Sequence, residues 1–333
     1  MIKKALVCTT ENLMPYRNLA LEEYLMDSVP EETCILYLWQ NRNTVVIGRN
    51  QNCWKECRVK ELETDGGHLV RRLSGGGAVF HDLGNLNFTF LIRKTDYDVS
   101  RQLDVILSAV SACGIRAEKS GRNDITVGGR KFSGNAFYFS GENAYHHGTL
   151  LIDVDKEKAG RYLNVSAEKI RSKGVDSVRS RIANLNEFHP GLTVERMKQE
   201  LCEAFGNVYG RKPESFSAEA IDESRVETLR RKFADPAWIY GQSIPFSCEI
   251  SRRFAWGGVG IGLQVRGGLI AAAQIDSDAM DEEFIRRVPP CLTGCPFSSQ
   301  EAAKRIRSEF SAESEERRQH ALDIERMLIE HQF

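Results

Sequence analysis

The segment Arg71-Arg72-Leu73-Ser74-Gly75-Gly76-Gly77-Ala78-Val79-Phe80-His81-Asp82 constrains this chain more than any other. Three consecutive glycines let backbone approach backbone, or backbone approach a ligand, where any Cβ would collide. Such a turn also presents amide N–H groups to an anion. A second cluster follows about fifty residues on, Gly121-Arg122-Asn123-Asp124 and then Gly128-Gly129-Arg130-Lys131-Phe132-Ser133-Gly134. Two glycine-bounded basic clusters in one chain ask for a large polyanionic ligand. Neither is the dinucleotide GxGxxG fingerprint nor the P-loop GxxxxGK[ST], so a nucleotide site of another design is required. Read alone, Ser74-Gly75-Gly76-Gly77 is equally a tight turn between strands.

Composition removes several function classes. The 333 residues carry 45 Lys plus Arg against 46 Asp plus Glu, a formal charge of −1 that gives no general attraction to nucleic acid. Any basic site is therefore local, and no aromatic-interleaved platform accompanies the basic segments. Nine cysteines at irregular spacings suit reduced thiols in a cytoplasmic protein better than a disulfide scaffold. Cys53-x-x-x-Cys57 and Cys291-x-x-x-Cys295 lack a second ligand pair at zinc-site spacing. Neither a signal-peptide core nor a membrane-length apolar run stands out, so a soluble protein without membrane contact is expected.

Periodicity gives the organisation. The length exceeds what one core usually fills, so two domains are expected, a mixed α/β domain over residues 1–240 and a smaller one over 246–333. Proline and glycine cluster between Asp235 and Pro245 and mark the boundary. Asn18 to Met26 has helical spacing, as does Val99 to Cys113. Cys34–Trp39 and Thr44–Ile47 read as strands of a hairpin. Leu86, Phe88, Phe90 and Ile92 alternate with Asn87, Thr89 and Leu91, the pattern of a strand with one strongly buried face. Phe137–Phe139 and Thr149–Val154 read as further strands. Beyond the boundary, Cys248–Phe254, Val259–Val265 and Leu269–Ile275 predict three antiparallel strands with Gly267-Gly268 as a turn, then helices from about Asp281 and after Ser299.

With Gly84-Asn85-Leu86-Asn87 after the first cluster and His146-His147-Gly148-Thr149-Leu150 after the second, the sequence resembles lipoate–protein ligase A of bacteria. The resemblance is specific from about Asn18 to Leu185 and looser to the C-terminus. It implies an α/β (α+β) fold, a catalytic domain like class II aminoacyl-tRNA synthetases and biotin ligases with a small C-terminal α/β domain. It also implies an enzyme that uses ATP and Mg²⁺ to activate lipoate to lipoyl-AMP, then acylates a carrier lysine. The implied partners are lipoyl carrier domains, such as 2-oxoacid dehydrogenase E2 subunits or glycine-cleavage H protein, and a monomer is expected.

The chemistry shows why these residue types belong together. A carboxylate attacking the α-phosphorus of ATP brings two anions into contact, so the site must supply positive charge and oriented donors. Strand alternation sends only one of Arg71 and Arg72 toward the ligand, and the resemblance makes it Arg72. It makes Lys131 the catalytic contact to carboxyl and phosphate oxygens, and places Ser74, Gly75, Gly76, Gly77, Ala78, Asn123 and Gly134 around the adenylate. His81, Asn85, Asn87, His147 and Thr149 offer further donors and acceptors, although local backbone pairing would also occupy them. Asp124 is assigned to Mg²⁺, which takes few protein carboxylates, with an Asx turn as the alternative for Asn123-Asp124. Lys173, Ser177 and Arg179 match a segment that closes over the adenylate in the family. Two other functions are weighed: a cysteine-dependent octanoyltransferase, for which no cysteine lies between Gly121 and Glu168, and a non-catalytic lipoyl- or nucleotide-binding module.

Overall fold

The computed structural model describes residues 2–121, 123–164, 182–241 and 246–333. They form two units, the first comprising Met1–Ile47, Cys53–Arg72 and Val79–Ile239, the second Gly48–Asn52, Leu73–Ala78 and Tyr240–Phe333. The strands of the first unit are β1 (Lys4–Thr9), β2 (Thr33–Trp39), β3 (Thr44–Ile47), β4 (His68–Arg71), β5 (Val79–His81), β6 (Asn85–Arg93), β7 (Glu118–Ser120), β8 (Asp124–Val127), β9 (Arg130–Ser140), β10 (Asn143–Leu151) and β11 (Glu214–Ser215). Eight of them form one sheet in the order β11-β1-β2-β6-β10-β9-β8-β7. The β11–β1 and β1–β2 pairs are parallel and the others antiparallel. A mixed α/β unit joined to a smaller α/β unit is the architecture found.

The alternation in β6 sets up the sheet. Leu86, Phe88, Phe90 and Ile92 point into an apolar core shared with Leu36, Leu38, Leu150, Val105, Ile106, Met197 and Phe205. Helices Val99–Ala112 and Val194–Tyr209 cover that side, the first N-capped by Asp98 and the second ended by left-handed Gly210 at φ 60°. The sequence predicts one strongly buried face. Both are buried, because helix Pro15–Ser28 lies over the side that carries Asn85, Asn87 and Thr89. Another expectation fails: β2 and β3 are not a hairpin. β2 pairs with β1 and β6, whereas β3 pairs with β4 and β5 in a separate three-stranded sheet. The polar run Gln40-Asn41-Arg42-Asn43 is therefore a crossover between sheets rather than a turn within one.

The second unit contains β12 (Cys248–Phe254), β13 (Gly257–Arg266) and β14 (Leu269–Ser277), an antiparallel meander with Gly267 and Gly268 at φ 57° and 75° in its turn. Ile250, Val259, Ile261, Leu263 and Ile270 face a core filled by Phe284, Ile285, Val288, Leu292, Ile306, Phe310, Ile324 and Leu328 of three helices and their ends. Two short excursions of the chain complete this unit. The Ser277 amide donates to the Asn50 carbonyl (2.9 Å), and the Gly76 amide to the Ala279 carbonyl (3.1 Å). Among the described residues, no helix is long and apolar enough to cross a membrane.

Candidate active site

The polar face of the large sheet supplies the first part of the site. β6 lies beside β10 with Asn87 opposite Thr149 and Thr89 opposite His147. The Gly134 amide of β9 donates to Thr149 Oγ1 (3.4 Å), and Gly134 pairs in register with Asp124 of β8. Asn87, Thr149, Gly134 and Asp124 thus share one transverse row across four neighbouring strands. Gly148 lets β9 and β10 close up, since a Cβ there would stand 2.7 Å from the Gly134 carbonyl and 2.5 Å from the Phe88 ring. Asn85 Nδ2 donates to Asn87 Oδ1 (2.9 Å). That leaves Asn85 Oδ1 and Asn87 Nδ2 buried without a hydrogen-bond partner among the described residues.

Next along this face lies a buried polar chain that reading the sequence did not single out. Trp39 Nε1 donates to Thr89 Oγ1 (3.2 Å), which donates to Glu22 Oε1 (2.6 Å). His147 Nδ1 donates to the same carboxylate oxygen at 2.9 Å, and its ring lies 4.7 Å from that of Tyr145. Glu22 is 1% exposed. Its only signal in the sequence is an acid on the buried side of an otherwise apolar helical stripe.

Of the two adjacent arginines, Arg71 is structural. Its Nε and Nη2 donate to the Trp238 and Ile239 carbonyls at 2.8–3.1 Å, while Trp238 Nε1 returns a bond to the Arg71 carbonyl (2.9 Å). Arg72 turns the other way. It is buried, donates through Nη1 to the Val46 carbonyl (3.2 Å), and feels the fields of Tyr145 and Glu22. Burial lowers its guanidinium to about 10, a shift those two groups oppose.

His81 has one possible tautomer. Asn18 Nδ2 donates to Asn41 Oδ1 (3.0 Å), so Asn41 Nδ2 is the donor to His81 Nδ1 (3.2 Å). The neutral ring then carries its proton on Nε2, a buried N–H without a hydrogen-bond partner among the described residues. Burial, helped by Arg72 and His147, depresses its pKa to about 3. His146, also fully buried, is depressed to about 3 by burial and His147. Both lie below the unfolded value of 6.5. The unfolded chain therefore binds more protons between those limits, and stability present above pH 6.5 is lost as pH falls. The thermal midpoint is expected to drop from pH 7 to pH 5, each histidine contributing about 1.4 kcal/mol per pH unit below its unfolded pKa. A midpoint constant over that range would show that the imidazoles are not held neutral.

The second basic cluster forms a hairpin between β8 and β9, with Gly128 and Gly129 at φ 55° and 73° in its turn. Lys131 Nζ lies 2.6 Å from Asp124 Oδ1, a charge pair without well-aligned hydrogen-bond geometry at that oxygen. Both side chains are 36% exposed, so the pair is accessible from solvent. Gly134 makes room for it: a Cβ would stand 2.9 Å from Lys131 Nζ. Asn123 is locked against Asn135 by donating Nδ2 to the Asn135 carbonyl (2.9 Å). After the segment bearing Lys173, Ser177 and Arg179, which lies outside the described residues, the chain returns to Lys131. Ile182 bridges Lys131, and the Ala183 amide donates to the Lys131 carbonyl (2.8 Å). Glu187 then binds Lys156 (2.5 Å) and Arg130 (2.7 Å). Burial would raise its carboxyl, but Lys156, the Asn184 amide and Arg130 together hold it at about 2.

The glycine trio belongs to the second unit. A Cβ on Gly75 would stand 2.3 Å from the Ala279 carbonyl oxygen, and one on Gly48 2.1 Å from that of Gly76. Gly76 has φ 90°, and the Arg49 amide donates to the Ser74 carbonyl (2.9 Å). Close backbone packing accounts for Gly75, as the sequence allows, and backbone conformation for Gly76. Among the described residues nothing lies within 4 Å of a Cβ placed on exposed Gly77, while Ser74 is buried and Ala78 half-buried. Among the described residues no group of three or more His, Cys, Asp or Glu could hold a metal ion.

A fold of this kind, with two glycine-bounded basic clusters, has counterparts among known proteins. The family model of the lipoyl protein ligase A/B catalytic domain matches residues 14–206. That of the bacterial lipoate protein ligase C-terminus matches residues 243–328. The chain belongs to the lipoyl protein ligase family. It is similar to P. falciparum LipL1, solved in complex with lipoate, at 27% identity and TM-score 0.86, covering 98% of this chain and 99% of that one. A bipartite lipoate protein ligase of Thermoplasma acidophilum, analysed with its E2 lipoyl domain, is 24% identical with TM-score 0.64 over 74% of this chain and 99% of that one. A lipoate–protein ligase A bound with ATP is 23% identical with TM-score 0.62 over 72% and 99%. The last two show a shared fold alone. Similar structures thus come from a eukaryote and an archaeon, and the resemblance is not confined to bacteria.

Proposed function

We propose that this chain is an ATP-dependent lipoate–protein ligase of the bacterial A type. The lipoate carboxylate attacks the α-phosphorus of ATP and pyrophosphate leaves; a carrier lysine then attacks the acyl carbon and AMP leaves. The observation that carries this reading is the presence of both the catalytic and the ligase C-terminal models in one chain that matches a lipoate-bound relative from end to end.

The geometry supports roles for the named residues. Lys131 is an accessible cation beside Gly134 and Thr149, suited to the oxygens of the reacting carboxylate and α-phosphate. Arg72 and His81 Nε2–H supply buried donors, and Asn85 Oδ1 and Asn87 Nδ2, buried without a protein partner among the described residues, supply an acceptor and a donor. Ser74 to Ala78, Asn123 and His147 are the remaining residues that the resemblance assigns to the adenylate, the Gly76 amide being already bonded to the Ala279 carbonyl. Asp124 is the carboxylate that would hold Mg²⁺; a single one fits, because magnesium commonly binds through one or two carboxylates together with substrate phosphates. Bound there, the ion would neutralise phosphate charge. Lys173, Ser177 and Arg179 belong to a closing segment. The acceptor is a lipoyl domain of an E2 subunit or an H protein, and the enzyme works as a cytoplasmic monomer without nucleic acid or membrane.

A cysteine-dependent acyl transfer needs a reactive thiolate at this site. Cys113 caps the C-terminal end of helix Val99–Ala112, is 7% exposed, and has its thiol pKa raised by burial and Glu200. Cys113→Ser is expected to leave carrier lipoylation within about twofold of the parent, as a substitution away from reacting atoms should. Capture of an acyl thioester at Cys113 would overturn the ligase route. Incubation with ATP, lipoate and an apo-carrier tests the whole reading: a lipoyl mass on the carrier lysine with AMP formation supports it. Binding of lipoate without lipoate-dependent ATP–pyrophosphate exchange would instead make the chain a binding module.

A further inference from the structure

His146 is the first of the two adjacent histidines, and alternation along β10 sends it to the face opposite His147. It is fully buried among the rings of Phe88, Phe90 and Phe137, with centroids 5.0–5.8 Å away. Both ring nitrogens are engaged. Nε2 lies 2.8 Å from Asn135 Oδ1, and Nδ1 lies 3.1 Å from Oε1 of Gln102, itself buried on helix Val99–Ala112. Asn135 Nδ2 in turn donates to the Asn123 carbonyl (3.0 Å), which fixes Asn135 Oδ1 as the acceptor and His146 Nε2–H as its donor. A neutral ring that donates through Nε2 has no second proton for Gln102 Oε1, so two acceptors meet there unless the Gln102 amide is turned over, which brings its Nε2, buried without a partner among the described residues, to His146 Nδ1.

The chain of bonds ends at the hairpin that bears the proposed phosphate site. The Asn123 carbonyl accepts a second bond from the Asn135 amide (2.8 Å), and Asn123 returns Nδ2 to the Asn135 carbonyl (2.9 Å). Asn123 is thus held by three bonds to one residue. Its neighbour is Asp124, 2.6 Å from Lys131. Asn135 directly follows Gly134, whose missing side chain accommodates Lys131.

We infer that Gln102, His146 and Asn135 are positioning residues that fix Asn123 and Asp124 opposite Lys131 for ATP use. The inference rests on the reading of this hairpin as the phosphate site, and it adds the residues that hold the hairpin in place. None of the three reaches the reacting atoms; they act through the Asn123 backbone. Removing the Asn135 side chain deletes one of the three bonds to Asn123 together with the link to His146, keeps the two bonds made by the Asn135 backbone, and leaves Asp124 and Lys131 in the sequence.

The test is lipoate-dependent ATP–pyrophosphate exchange by the full chain, with MgATP and lipoate varied separately. Asn135→Ala is expected to lower kcat/KM for MgATP about tenfold or more, as loss of an orienting partner does, while KM for lipoate stays within about twofold. In an Asp124→Asn background the same change is expected to add less than about twofold, because its target is already disabled. Gln102→Leu, two bonds further away, produces a smaller loss in the same parameter and covers the case of an Asn135→Ala chain that does not fold. An unchanged MgATP dependence in the folded variants, or a loss that multiplies fully in the Asp124→Asn background, overturns the inference. Absence of exchange in the parent would instead refute the ligase reading, so the two failures are distinct.

Discussion

Lys131→Ala is expected to reduce lipoyl-adenylate formation by about 10²–10³-fold, the range seen when a positioned donor to developing negative charge is removed. Folding should hardly respond. The side chain is 36% exposed and its pairing with Asp124 is accessible to solvent, where such pairs stabilise little. Its backbone ties, the bridge to Ile182 and the bond to Ala183, do not depend on the side chain. Lys131→Arg is expected to recover only part of the activity, since a planar fork does not replace a compact ammonium beside Gly134. Circular dichroism with a pyrophosphate-release assay separates the outcomes: a folded variant with parental activation would remove Lys131 from the chemistry.

Gly75→Ala should be nearly as damaging for another reason. A single methyl group would meet two backbone oxygens, at 2.3 Å from Ala279 and 2.6 Å from Met280, and neither can rotate away as a side chain can. The loop between Arg72 and Val79 must then leave its seat in the second unit. Displacements of about 1 Å at an activation site cost on the order of 10²-fold in rate. Gly77→Ala is the informative comparison. Among the described residues its Cβ would meet nothing within 4 Å, so Gly77→Ala is expected to cost less activity than Gly75→Ala, and an equal loss would contradict the packing explanation. Activation by Gly75→Ala at the parental rate would show that this seat is not needed.

The sequence reveals the repeating parts of this fold and misses what depends on distant partners. Period-two alternation in β6 marks its core face, but only tertiary structure shows Glu22 of helix Pro15–Ser28 meeting Thr89 and His147 on the other. Spacing cannot tell which sheet a strand joins, so β2 and β3 look like a hairpin although they belong to different sheets. Likewise, three glycines announce close approach without saying to what. Gly75 approaches Ala279, more than two hundred residues away in sequence. Arg71 and Arg72 can be separated by alternation, whereas assigning Arg71 to the Trp238 and Ile239 carbonyls requires the folded chain. The role of Asn135 is equally hidden: nothing in Ser133-Gly134-Asn135 signals a buried histidine on the neighbouring strand.

Attack of the lipoate carboxylate on the α-phosphorus of ATP joins a carboxyl oxygen to phosphorus. Lipoate labelled with oxygen-18 in its carboxyl group, incubated with the enzyme, ATP and an apo-carrier, follows that bond directly. The released AMP is expected to carry one labelled oxygen in its phosphate, with the carrier lysine acylated and pyrophosphate formed in equal amount. Acylated carrier accompanied by unlabelled AMP, or by ADP and phosphate, would contradict an adenylate and with it the roles given to Lys131, Arg72 and the glycine turn.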